Sequence, residues 1–137
     1  MRFKRIEKLD ATQIRQLVAL YQNEWWTRGR TLAGVRKMLA RSDVILAFAE
    51  RGNGKLAAFS RVITDYTYKA LVLDVIVAPA HRGTGLGRKL MAGILNHPRL
   101  RRVRHFELYC LPELLPFYRR WGFTEELGKL KFMRRAK

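Results

Sequence analysis

Apolar residues along this 137-residue chain fall into two rhythms. Ile14, Leu17, Val18 and Tyr21 recur at three- and four-residue steps, as do Leu32, Val35, Met38 and Leu39, and later Leu86, Leu90, Met91, Ile94 and Leu95. Each set therefore lies on one face of a helix. Asp10 or Thr12 can cap the first helix, with Gln13 completing a capping box from Asp10, and Thr31 precedes the second. Residues 44–49, 56–63 and 71–77 are shorter and have the length and β-branched content of strands. The Asn53-Gly54 pair between the first two is a hairpin signal. A further strand is expected at 106–110, a helix at 113–121, and a short hairpin from residue 123 to about 134 turning near Gly128. The pattern predicts a single domain over residues 1–137, of mixed α/β (α+β) class with a mostly antiparallel sheet. One pair of strands is expected to differ. Those ending at Val77 and Cys110 are joined through a helix, so they should run parallel by a right-handed crossover.

Composition narrows the class. A hydrophobic content of 48% suffices for one core. The longest apolar run is well short of the roughly 18 to 20 residues of a membrane span. The start Met1-Arg2-Phe3-Lys4-Arg5 lacks the apolar stretch of a signal peptide, so a cytoplasmic location is expected. Cys110 is the sole cysteine, which excludes an internal disulfide and a cysteine-based zinc site, and His81, His97 and His105 have no metal-ligand spacing. Twenty-eight Lys and Arg against 11 Asp and Glu give a net charge of +17, which calls for an anionic partner. Basic residues are spread from Arg2 to Lys137, and the densest run, at 99–104, lacks the aromatic interleaving of a single-strand platform. Nucleic acid is therefore a partner the charge permits and the motifs do not favour. No segment specifies an interface, leaving monomer or homodimer open.

The chemistry concentrates at Val77-Ala78-Pro79-Ala80-His81-Arg82-Gly83-Thr84-Gly85-Leu86-Gly87, a glycine-rich turn between a strand and a helix. Such a turn aims several backbone N–H groups at one anion, with the positive end of the helix behind them. A Walker A loop would need Gly-Lys-Ser/Thr, whereas Gly87 is followed by Arg88-Lys89-Leu90. A dinucleotide fingerprint would need Gly-x-Gly-x-x-Gly in an early βαβ unit, whereas Gly83, Gly85 and Gly87 are spaced Gly-x-Gly-x-Gly beyond the midpoint. The segment instead resembles the coenzyme A loop of the GCN5-related N-acetyltransferases (GNAT), Gln/Arg-x-x-Gly-x-Gly/Ala with a branched apolar residue five positions upstream. Arg82 to Gly87, with Val77 before them, fit each position. Leu114-Leu115-Pro116-Phe117-Tyr118-Arg119-Arg120-Trp121-Gly122-Phe123 is similar to that family's later helix, with its Phe-Tyr pair and Gly-Phe ending.

The resemblance implies a central sheet with helices on both faces and a splayed parallel strand pair that admits coenzyme A. It implies acetyl transfer from acetyl-CoA to a primary amine of a small molecule, peptide or protein, by direct attack in a ternary complex and without a metal. The cofactor contacts would be the backbone around Val75, Ile76 and Val77 for the oxyanion and Arg82, Gly83, Thr84, Gly85, Leu86 and Gly87 for the pyrophosphate, with Arg88 at the rim. Tyr118 aligns with the family's helix tyrosine and would protonate the departing thiolate. Pro116 either kinks this helix or marks its first turn. Asp74, a lone acid in an apolar strand whose alternation places it with Val72 and Ile76, is either the base or amine anchor or a structural carboxylate. Glu24 and Glu107 can each bind a cationic amine. Of the adjacent Trp25 and Trp26, one is expected to pack inward and the other to line the acceptor pocket. The alternative function is a coenzyme A-binding or nucleic-acid-associated basic module with little catalysis.

Overall fold

The computed structural model describes residues 2–137. Five strands form one sheet in the order β1-β2-β3-β4-β5: β1 Phe3–Ile6, β2 Val44–Glu50, β3 Leu56–Thr64, β4 Lys69–Val77 and β5 His105–Glu107. The first four pair antiparallel, and β4 pairs parallel with β5. Helices α1 Ala11–Gln22 and α2 Leu32–Arg41 cover one face, closing a core of Leu17, Tyr21, Val35, Phe59 and Ile76. Helices α3 Leu86–Leu95 and α4 Leu115–Arg119 cover the other, with Leu46, Val72, Leu90, Met91, Ile94 and Tyr118. This is the mixed, mostly antiparallel α/β fold with helices on both faces that the sequence predicts. No helix among the described residues is long and apolar enough to cross a membrane.

Local signals account for the helix starts. Asp10 accepts from the Gln13 N–H at 2.8 Å while the Gln13 side chain accepts from the Asp10 N–H at 3.0 Å, the expected capping box. Thr31 caps α2 through the Gly34 N–H at 3.0 Å. A 3₁₀ turn, Pro112–Leu114, leads into α4, and Pro116 stands in the first turn of that helix, where its missing N–H removes no helical bond. Helix α3 lies so close to β2 that a Cβ on Gly93 would stand 2.5 Å from Leu46 Cδ2. Gly93→Ala should therefore destabilise the fold by about 1–2 kcal/mol, since overpacking exceeds the gain in helix propensity, as a shifted urea midpoint at unchanged m would show.

Three elements differ from the sequence pattern. Strand β1 was not expected. Phe3 is buried beneath an edge whose Lys4 and Arg5 face solvent, a spacing too short to register as periodicity. Strand β5 is three residues long rather than running to Cys110. The expected hairpin after Phe123 is absent among the described residues. Residues 123–137 make only short turns, such as Leu130 N–H to the Leu127 carbonyl, and none of them pairs with β5, which ends at Glu107. Phe132 instead rests against Tyr109 with ring centroids 5.1 Å apart.

Candidate active site

Strand β4 positions the site through two departures from regularity. It pairs with β3 along its length to Val77 but with β5 only from Lys69 to Leu71, so the two parallel strands separate and one edge of β4 has no strand partner from Val72 to Val77. The pairing with β3 also slips: Phe59 faces Ile76 and Arg61 faces Leu73, so Ser60 stands opposite two residues. This bulge contains Asp74, a non-glycine residue at φ 56°. It corrects the alternation read from the sequence. Val72 packs with α3, but Asp74 and Ile76 turn to the α1 face, while Val75 and Val77 pack toward the α3 core.

On the α1 face Asp74 is 6% exposed and its Oδ2 accepts three bonds: from the Tyr21 hydroxyl at 2.9 Å, Arg30 Nη1 at 2.7 Å and Arg61 Nε at 2.7 Å. Burial alone would raise the pKa of this carboxyl. The two guanidinium groups more than offset it and hold the carboxyl below the usual carboxylate range. Burial, then the Asp74 charge, raises the Tyr21 phenol well above its ordinary value. Of the two roles open to Asp74, the geometry supports the structural one, because a carboxylate with three donors and a lowered pKa accepts a proton poorly at neutral pH. Tyr21, Arg30 and Arg61 carried no sequence signal for this. They lie on three separate segments that meet only in the fold.

Beyond Val77 a 3₁₀ turn, Pro79–His81, leads into the glycine loop and α3. Gly83 and Gly85 adopt φ 80° and 87°, which side chains rarely tolerate, and a Cβ at either would point into open space. From Gly83 to Arg88 the backbone N–H groups have no intramolecular acceptor among the described residues. They border an open cleft of about 550 Å³ also lined by Val77, His81, Arg82 and Phe117. Unpartnered donors at the positive end of a ten-residue helix, two of them on glycines fixed in left-handed backbone, suit a diphosphate. The residues present thus fit the coenzyme that the loop's sequence implies. Phe117, which sequence reasoning passed over for its neighbour, closes one side at 3.6 Å from the Cβ position of Gly87.

Tyr118 is 7% exposed, stacked edge-on against Phe117 at 5.0 Å and Phe123 at 6.1 Å. Its hydroxyl makes no hydrogen bond among the described residues, and burial, followed by nearby Cys110, pushes its pKa up to about 12. Burial and the charges of Glu125 and Glu113 also raise the Cys110 thiol.

The expected acceptor residues divide. Glu24 meets the glycine loop directly, accepting from Arg82 Nη2 at 2.9 Å. Trp25 and Trp26 are 68% and 39% exposed, so neither enters the core. Thr27 anchors that turn instead, buried and bonded through its hydroxyl to the Tyr21 carbonyl at 2.8 Å. Glu107 is corrected by the register. It pairs with Leu71 in the joined half of the strands and forms an exposed ion pair with Lys69 at 2.8 Å, remote from the opening at Val77.

Comparison with known proteins agrees with this geometry. A family profile described as acetyltransferase (GNAT) domain matches residues 41–125, more than half of the chain. A solved GNAT-family structure from Xanthomonas campestris superposes with a TM-score of 0.84 at 31% identity, covering 100% of this chain and 94% of that one. An uncharacterized N-acetyltransferase of Porphyra purpurea, ycf52, is 27% identical over 86% of this chain and 68% of its own length. At 16% identity, with a TM-score of 0.69 and coverage of 99% and 100%, AAC(6')-Iy in complex with a CoA-containing bisubstrate analogue shares the fold. With the splayed strands, the open glycine loop and these matches, the chain belongs to the GNAT family and is an N-acetyltransferase.

Proposed function

We propose that this enzyme moves an acetyl group from acetyl-CoA to a primary amine by direct attack, with both substrates bound together. The observation that carries the reading is the run of unpartnered N–H groups from Gly83 to Arg88 beside the unpaired edge of β4. The glycine loop holds the pyrophosphate, with Arg82 and Arg88 adding charge. The coenzyme supplies an activated thioester. Backbone N–H around Val75 to Val77, on the edge the bulge presents, stabilises the oxyanion.

Tyr118 keeps its proton through neutral pH and donates a hydrogen bond to the sulfur as charge develops there. Asp74 acts as a positioning residue: it fixes the bulge and holds Arg30 and Arg61 while water takes the amine's proton. The raised Cys110 thiol stays neutral, which supports direct transfer over an acyl-cysteine route. Glu24 and the exposed Trp25 and Trp26 form the acceptor wall, a carboxylate for the ammonium form and indoles for its apolar or cationic surface.

A panel of amines assayed for acetyl-CoA-dependent thiol release tests the reading, and silence across small amines, peptides and proteins would reject it. The pH profile tests Tyr118 separately. Because its pKa stands near 12, kcat/KM should rise as the amine deprotonates and then stay level to about pH 10. A falling limb at pH 8–9 would contradict a phenol held protonated by burial.

A further inference from the structure

The net charge of +17 exceeds what one coenzyme requires, and the fold gathers part of the excess away from the cofactor loop. Helix α3 begins at the loop and ends at Leu95, about 15 Å away at 1.5 Å per residue. Past that end lies a second cleft of about 350 Å³ lined by Tyr66, Pro98, Arg99, Arg101 and Arg102. The basic run at 99–104 has no aromatic residue of its own, yet the fold supplies them from the β3–β4 turn. Arg104 N–H bonds the Thr67 carbonyl at 3.2 Å and His105 N–H the Tyr68 carbonyl at 3.0 Å, so the turn carrying Tyr66 and Tyr68 is joined to the basic run. The Arg99 guanidinium stands 5.0 Å from the Tyr66 ring centroid and bonds its hydroxyl, and Tyr68 is 59% exposed.

The acids at this end are already engaged. Asp65 Oδ1 accepts the N–H groups of Thr67, Tyr68 and Lys69, Asp43 Oδ2 accepts that of Thr64, and Glu107 pairs with Lys69. Arg101, Arg102 and Arg104 are exposed, and their side chains have no hydrogen-bond or ion-pair partner among the described residues. Cations without partners beside the exposed Tyr68 ring and the half-buried Tyr66, which Arg99 covers, match a strand that offers phosphates and unstacked bases together.

We propose that this end of the domain, Arg99, Arg101, Arg102 and Arg104 with Tyr66 and Tyr68, binds single-stranded nucleic acid independently of the acetyl-transfer site. An acidic protein would use the charge and leave the rings idle. A duplex would hide the bases from them.

The test is fluorescence anisotropy of the full chain with a labelled 12-nucleotide single-stranded RNA at several salt concentrations. Four phosphate contacts give a log–log salt slope of about −2.8, an affinity loss of about 50-fold between 50 and 200 mM salt. The Arg101→Glu/Arg102→Glu double variant should lower the slope by about 1.4 and the affinity at 0.1 M salt by about 20-fold. The rise in Tm on adding acetyl-CoA should be the same in both proteins, which separates this site from the reading of the cofactor loop and shows that the variant is folded. Absence of binding at 50 mM salt, or equal binding by the double variant, would overturn the proposal. So would polyglutamate or the matching duplex competing as well as the single strand.

Discussion

Tyr118→Phe should lower kcat by about 10²- to 10⁴-fold, the usual contribution of a positioned acid, while leaving the affinity for acetyl-CoA nearly unchanged. The phenol is almost wholly buried between Phe117 and Phe123, and its hydroxyl has no internal partner, so removing one oxygen breaks no bond that the fold depends on. The loss should therefore appear in steady-state thiol release and be absent from the thermal melt. A variant that turned over as fast as the parent would show that Tyr118 only packs, and a variant that failed to fold would contradict the unbonded hydroxyl.

The second large effect is on stability. Asp74→Asn keeps the shape of the side chain but removes the charge that two guanidinium groups face, and Arg61 is itself only 11% exposed. Breaking a buried pair from one side costs about 3–5 kcal/mol, at the lower end here because Arg30 is one-third exposed. Tm should fall by about 10 °C. The pH dependence has a definite sign. The carboxyl's folded pKa lies below its unfolded value of 3.8, so its contribution is fully present above pH 3.8 and disappears as pH falls through the folded pKa. The parent should lose this increment below about pH 4, and Asp74→Asn should show a flatter acid limb. Because the bulge sets the direction of the β4 edge, kcat should fall too, with its pH profile unchanged in shape. A profile that lost its acid limb would instead mark Asp74 as the base.

The contrast between these two residues shows what the sequence could and could not reveal. The helix that carries Tyr118 was legible because it is local: Pro116, the Phe-Tyr pair and the Gly-Phe ending stand within a few residues of one another. The Asp10 capping box and the glycine loop were legible for the same reason, each being a short motif whose bonds form within its own segment. Asp74 was visible only as an anomaly, a charge in an apolar strand. Its partners lie 53, 44 and 13 residues away, and the bulge that turns it to the α1 face depends on the register with β3, which no local pattern encodes. Glu107 misled for a related reason. Its strand was recognised, but how far that strand stays paired with β4 is a property of both strands. The Trp25–Trp26 pair suggested an inward anchor, and the buried member of that turn proved to be Thr27, whose hydroxyl donates to the Tyr21 carbonyl.

Glycine-selective ¹⁵N labelling addresses the central claim most directly, because the chain has ten glycines and each gives one backbone resonance. On adding acetyl-CoA, the amide protons of Gly83, Gly85 and Gly87 should shift furthest, as free N–H groups acquire phosphate acceptors, while Gly34, Gly52 and Gly128 hold their positions. Saturating acetyl-CoA that left the three loop amides unmoved, or moved others more, would contradict the assignment of residues 82–88 to the coenzyme's pyrophosphate.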